Sequence, residues 1–206
     1  MKARKHVAGY TLVEVMMAIG IMTVGAVGIM SLQAAASAAN IQAHHMSMAT
    51  ESTRTWLERL RRAALGWEVA GAGGLTNVDY LKDAIPLAAD GVTDWTAYEP
   101  STTADSLTTA DSWGFDYRGY DTRTTGDIVY CTNVKLAWSL NKTAIRADVR
   151  TWWYRYSNGS RSDYDSLGSY TCNKGDASAV DAALTGAGGL RAVYGSELIR
   201  PTEIRP

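Results

Sequence analysis

The sequence predicts an α+β protein in which a long N-terminal helix leads into a globular head built on an antiparallel β-sheet. Three observations carry this expectation. Residues 12–39 form an apolar run whose only formal charge is Glu14. Behind it an amphipathic stripe of helical period continues to Trp67. Between Val134 and Trp153 two segments alternate in the manner of half-buried strands, joined by a short polar turn.

The apolar run comes first. Lys2, Arg4 and Lys5 precede it, and the next charges after Glu14 are Glu51 and Arg54. Positive charge before the run and none soon after predicts a cytoplasmic N-terminus and an external head. Val15 to Ala39, 25 residues, makes a helix of about 37 Å, enough to cross a hydrocarbon core of about 30 Å with some tilt. A secretory signal peptide also starts basic, and Ala34-Ala35-Ala36 and Ala36-Ser37-Ala38 offer it cleavage sites. That alternative fits less well. The run is about twice the usual apolar length of roughly 7–15 residues, and a carboxylate stands at its front edge.

Glu14 requires a counter-charge, because a carboxylate inside a membrane segment costs about 2.5–3.5 kcal/mol on insertion scales. Cleavage between Gly9 and Tyr10 supplies one. Tyr10 would then carry a new α-amine, four residues and one helical turn from Glu14 on the same face. The pairing amine is that of the same chain or of a neighbouring subunit; the alternative is a plain interfacial glutamate.

Gly9-Tyr10-Thr11-Leu12-Val13-Glu14-Val15, after its short basic leader, resembles the signature of the type IV prepilin family, with Tyr10 where phenylalanine is usual. The resemblance implies a prepilin peptidase that cuts after Gly9 and methylates the amine of Tyr10. It also implies a subunit held in the inner membrane, head in the periplasm, before it enters a filament in which Glu14 meets a neighbour's amine. The stretch from Val24 to Gln33, with Gly25, Gly28 and Leu32-Gln33, is similar to PilV-type minor pilins. No proline precedes Pro86, whereas major pilins carry helix-kinking prolines. On this resemblance the expected role is that of a minor pilin priming assembly or joining a tip complex, in support of adhesion and twitching motility. Its expected partners are other minor pilins, the major pilin and a PilY-class tip adhesin. A minor pseudopilin of a type II secretion system shares the signature. A single-pass membrane-anchored binding protein that keeps its leader shares the helix.

Past Ala39, Ile41, His45, Met48, Trp56, Leu60, Ala64 and Trp67 recur at helical spacings. One helix is therefore expected from about Thr11 to Gly66, ended by Gly71-Ala72-Gly73-Gly74. Glu58 stands at ion-pair spacing from Arg61 and Arg62, and Glu51 near Arg54. The chain so divides into a leader (1–9), a membrane or filament-core half-helix (10–39), an amphipathic half-helix (40–67) and a β-rich head (68–206). Within the head a short helix is expected inside 76–88 and a long loop at about 90–126, where Thr102–Leu107 is echoed by Thr108–Trp113. Val134, Leu136, Trp138 and Leu140 then alternate with Lys135, Ala137 and Ser139. Ile145 to Trp153 alternates likewise, with Asn141-Lys142-Thr143-Ala144 as the turn between. A turn or two of helix at 176–184, a strand at 190–194 and an extended tail from Glu197 complete the head.

Cys131 and Cys172 lie 41 positions apart, neither in a CxxC pair nor beside a histidine. In an oxidising compartment they are expected to form one disulfide, worth about 3–4 kcal/mol by loop closure; two buried thiols are the alternative. The histidines are His6, His44 and His45, and the adjacent pair points in different directions on a helix, a poor metal site. The acids of the long loop lack the calcium-loop spacing. With no histidine in the head and no Gly-rich phosphate loop, neither an enzyme nor a cofactor is expected. Net charge is −1, and without the leader 17 basic residues face 21 acidic ones, so no nucleic-acid partner is expected.

Overall fold

The computed structural model describes residues 10–67, 72–75, 78, 80–85, 91–96, 114–122, 127–154, 172, 177–185 and 189–201. The leader with Lys2, Arg4, Lys5 and Gly9, the duplicated segment at 102–113 and the last five residues lie outside them. The chain divides into two compact units, Met1–His44 and His45–Pro206, with the boundary inside the helix α1 (Leu12–Ala63).

In the first unit, residues 10–43 are all exposed, and apolar side chains project on every side. A helix apolar all round has no core of its own to face and needs lipid or other helices around it. By length and composition this one can cross a membrane, with a window of mean hydropathy 2.1. Its hydroxyls fold back on it: Thr23 Oγ1 donates to Gly20 O and Ser31 Oγ to Gly28 O, each at 2.8 Å. These two hydroxyls are thus satisfied within the segment, as a hydrocarbon environment demands. Despite Gly20, Gly25 and Gly28, α1 runs without a break.

In the second unit, the remainder of α1 turns His45, Ala49, Ser52, Thr53, Trp56 and Leu60 into the head. These follow the 3.6-residue period, and Ala64 and Trp67 extend the buried stripe through a 3-10 turn at Ala64–Gly66. Opposite lies a five-stranded antiparallel sheet: β1 (Gly114–Phe115), β2 (Asp121–Thr122), β3 (Tyr130–Ser139), β4 (Ala144–Tyr154) and β5 (Leu190–Ile199), ordered β2-β1-β3-β4-β5. Tyr130, Val134, Leu136 and Trp138 of β3, with Ile145, Ala147, Val149 and Trp153 of β4, join the helical stripe in one core. Inside it, Thr53 Oγ1 lies 2.8 Å from Thr151 Oγ1, which lies 3.1 Å from Thr132 Oγ1. Buried hydroxyls thereby find partners across helix, β4 and β3.

Several expectations need correction. The segment 90–126 is not a plain loop. It supplies β1 and β2, and Val92 and Thr96 bridge to Ala137 and Val134. β3 is buried on both faces for most of its length rather than half-buried. On its second face Cys131 joins an apolar cluster with Ile128, Trp152, Cys172, Val180 and Leu190, to which the helix α2 (Ala177–Thr185) contributes Val180. Asn133 accepts hydrogen bonds from Arg150 and Trp152, and Ala137 bridges to Val92. β5 continues beyond Tyr194 to Ile199, so the start of the expected tail is an edge strand paired with β4. Of the short helix expected inside 76–88, the described residues hold the 3-10 turn Leu81–Ala84, where Trp138 Nε1 donates to Ala84 O at 2.6 Å. The glycine-rich Ala72–Leu75 is likewise a 3-10 turn, a conformation short enough for residues that cannot sustain an α-helix.

Candidate functional site

The start of α1 is built by Thr11. Its carbonyl accepts from the backbone N–H of Glu14 at 3.1 Å and of Val15 at 3.3 Å, while its Oγ1 accepts from Glu14 N at 3.3 Å. Thr11 is therefore the N-cap and Glu14 the third helical residue, the order of a capping box. A carboxylate there also faces the partial positive charge of the helix N-terminus. A counter-charging amine alone does not account for this second role of Glu14, although Thr11-Leu12-Val13-Glu14 spells it in the sequence.

Tyr10 stands one residue before the cap, 83% exposed. Helical spacing between Tyr10 and Glu14 therefore does not exist in the uncut chain; a pair within one chain requires residues 10 and 11 to join the helix after cleavage. Glu14 is exposed. A neighbour's amine can reach it without any such change.

Cys131 and Cys172 are bonded, with Cα atoms 5.2 Å apart, and the bridge ties β3 to the cluster beneath α2. His45 is buried, its Nδ1 2.8 Å from Tyr130 Oη and its ring edge-on to Tyr117 and Tyr130. Among the described residues no group of His, Cys, Asp or Glu is placed to hold a metal ion. On the surface, Arg61 donates to Glu58 and Glu197, and Arg59 pairs with Asp121. Hydrogen bonding and charge from Glu197, then the charge of Glu58, raise the Arg61 pKa above its ordinary value. The Glu58–Arg61 pair was legible from spacing; the contact with Glu197, 136 residues away, was not.

Residues 4–30 match the family model of the prokaryotic N-terminal methylation motif, the prepilin leader of type IV pilins and pseudopilins. No curated protein and no solved structure matches the chain. The matched residues include Gly9, Tyr10, Thr11 and Glu14 and the first part of α1. The motif implies processing by a prepilin peptidase and association with other pilin-type subunits, and it agrees with an α+β pilin-like fold led by an apolar helix.

Proposed function

We propose that this chain, bearing the type IV prepilin motif, is a minor pilin of the PilV type that primes pilus assembly or forms part of the tip complex. Adhesion and twitching motility depend on it in this reading. One observation carries the proposal: the exposed part of α1, residues 12–43, is apolar on every side and has its single carboxylate at its first turn, within the matched motif. In lipid the helix serves as an anchor, and among other such helices it becomes part of a filament core.

The mechanism has three steps. Lys2, Arg4 and Lys5 hold the leader in the cytoplasm while the helix inserts. Cleavage after Gly9 frees the Tyr10 amine, which is methylated and keeps its charge. Glu14 of one subunit then pairs with the amine of another, and the heads stack with other minor pilins, the major pilin and a PilY-class adhesin. Residue numbers follow the uncut chain. The role is mechanical rather than catalytic.

The unkinked helix, with no proline before Pro86, and the Gly25–Gln33 stretch favour a minor pilin over a major one. The pseudopilin of a type II secretion system is the second reading, favoured by the motif to the same degree. A deletion strain complemented with wild type or Glu14→Ala tests both. The expected result is loss of surface pili and twitching with secretion intact. Glu14→Ala is expected to insert normally but to reach the filament fraction about tenfold less, the scale of one charge-assisted hydrogen bond. Normal piliation with failed secretion would select the pseudopilin instead.

A further inference from the structure

The face of the sheet turned away from α1 carries a cleft. Its volume is about 370 Å³, and Trp95, Lys135, Arg146, Asp148, Tyr194 and Ser196 line it. Lys135, Asp148 and Ser196 are register partners across β3, β4 and β5, and so share one face in one row. Tyr194 stands one step along, opposite Arg150.

Trp95 is held from beneath. Arg150, 0% exposed, places its guanidinium 4.5 Å from the ring centroid; it is fixed by a 3.1 Å bond from Nε to Asn133 Oδ1 and by an ion pair with Asp181. The Tyr194 ring, 61% exposed, lies 6.4 Å from that of Trp95. Two aromatic surfaces thus stand over a polar floor, one of them set rigidly.

The charge of the cleft is uneven. Asp148 already receives Arg146 Nε at 3.1 Å and Ser196 Oγ at 2.6 Å. Lys135 lies directly across from Asp148 in the register, yet its ammonium sits 5.7 Å from the Trp95 ring and has no carboxylate partner among the described residues. The cleft therefore has one cation in excess and a guanidinium edge beside it. An occupant needs an apolar face for the rings, hydroxyls for the floor and an anionic group for Lys135 and Arg146. A peptide laid over the floor finds no backbone partners in β4, which is paired on both sides; only the outer edge of β5 offers them. A sugar ring meets every requirement, because its polarised C–H groups suit the negative face of an aromatic ring, and the volume lies within the small-ligand range.

We propose that the cleft between Trp95 and Tyr194 binds an acidic sugar, a uronate unit of a polysaccharide, with its carboxylate on Lys135 and Arg146. The proposal holds for a pilin or a pseudopilin alike, and its failure would leave the assembly reading standing.

The test titrates the full-length protein in detergent micelles with digalacturonate, observed by saturation-transfer NMR. Binding is expected with a Kd of about 0.1–1 mM, and neutral galactobiose is expected to bind at least about tenfold more weakly. Trp95→Ala and Lys135→Gln are each expected to weaken binding about tenfold, and Trp95→Phe to keep it within about threefold. Should Trp95→Ala fail to fold, the half-buried Lys135→Gln decides. Absence of binding at about 10 mM digalacturonate, equal affinity for galactobiose, or unchanged affinity in Lys135→Gln would each overturn the proposal. So would a tetraglutamate peptide that binds as tightly, which would make the ligand an acidic polypeptide.

Discussion

At Gly195 the edge strand β5 approaches α1 so closely that a Cβ would stand 2.8 Å from Thr53 Cγ2 and 3.1 Å from Leu57 Cδ1. Thr53 cannot give way freely, because its hydroxyl is tied to Ala49 O and Thr151 Oγ1, both at 2.8 Å. Gly195→Ala is therefore expected to destabilise the head by about 1–3 kcal/mol in chemical denaturation. Gly66→Ala is the control. Its Cβ would meet only Val78 Cγ2 at an ordinary 3.7 Å, so it should stay within about 0.5 kcal/mol. Neither outcome is legible in the sequence, where both residues are simply glycines between other residues. The motif at the helix start is the opposite case: Gly9, Tyr10 and Glu14 are legible because the matched motif and the helix cap are both written in consecutive residues. Trp95 is legible only as a tryptophan; its place over Arg150 joins residues 55 positions apart that no local pattern links.

Among the elements, β3 and β4 follow from their alternating side chains, and α1 from its stripe, because both periods repeat over many residues. β1 and β2, of two residues each, are too short to show a period. Their presence depends on β3 offering a paired edge. The turn between β3 and β4 spans Leu140–Thr143, with Leu140, Asn141 and Lys142 all at positive φ. Asparagine suits that region; leucine and lysine do not, and are kept there by the register on either side. The second apolar cluster has a different fastening, since Cys131 and Cys172 join it to the sheet across 41 residues. Replacing both cysteines by serine is expected to lower head stability by about 3–4 kcal/mol, read as the shift of a urea midpoint against the unreduced wild type. An unchanged midpoint would mean that Val180, Trp152 and Leu190 suffice to hold the cluster.

For the molecule as a whole, the two units are written in different chemical languages. In residues 45–67 the buried side chains keep to one stripe, which packs on the sheet; in residues 12–43 apolar side chains are exposed on every side, and none of the described residues covers them. The change falls inside a single helix, and α1 thereby joins a segment suited to a lipid or filament environment to one packed in the head. In the proposed mechanism such a helix occupies two settings, lipid and filament, and passes from one to the other through a change at its first turn. There Thr11 caps the helix and Glu14 stands exposed, and cleavage after Gly9 would give Tyr10, beside the cap, an α-amine. The most direct measurement is the intact mass of the protein purified from its host. It should equal the chain from Tyr10 to Pro206 with one methyl group added and the disulfide formed. A mass that still includes Met1–Gly9, or one that lacks the apolar helix, would contradict cleavage at Gly9 and the pairing of Glu14 that depends on it.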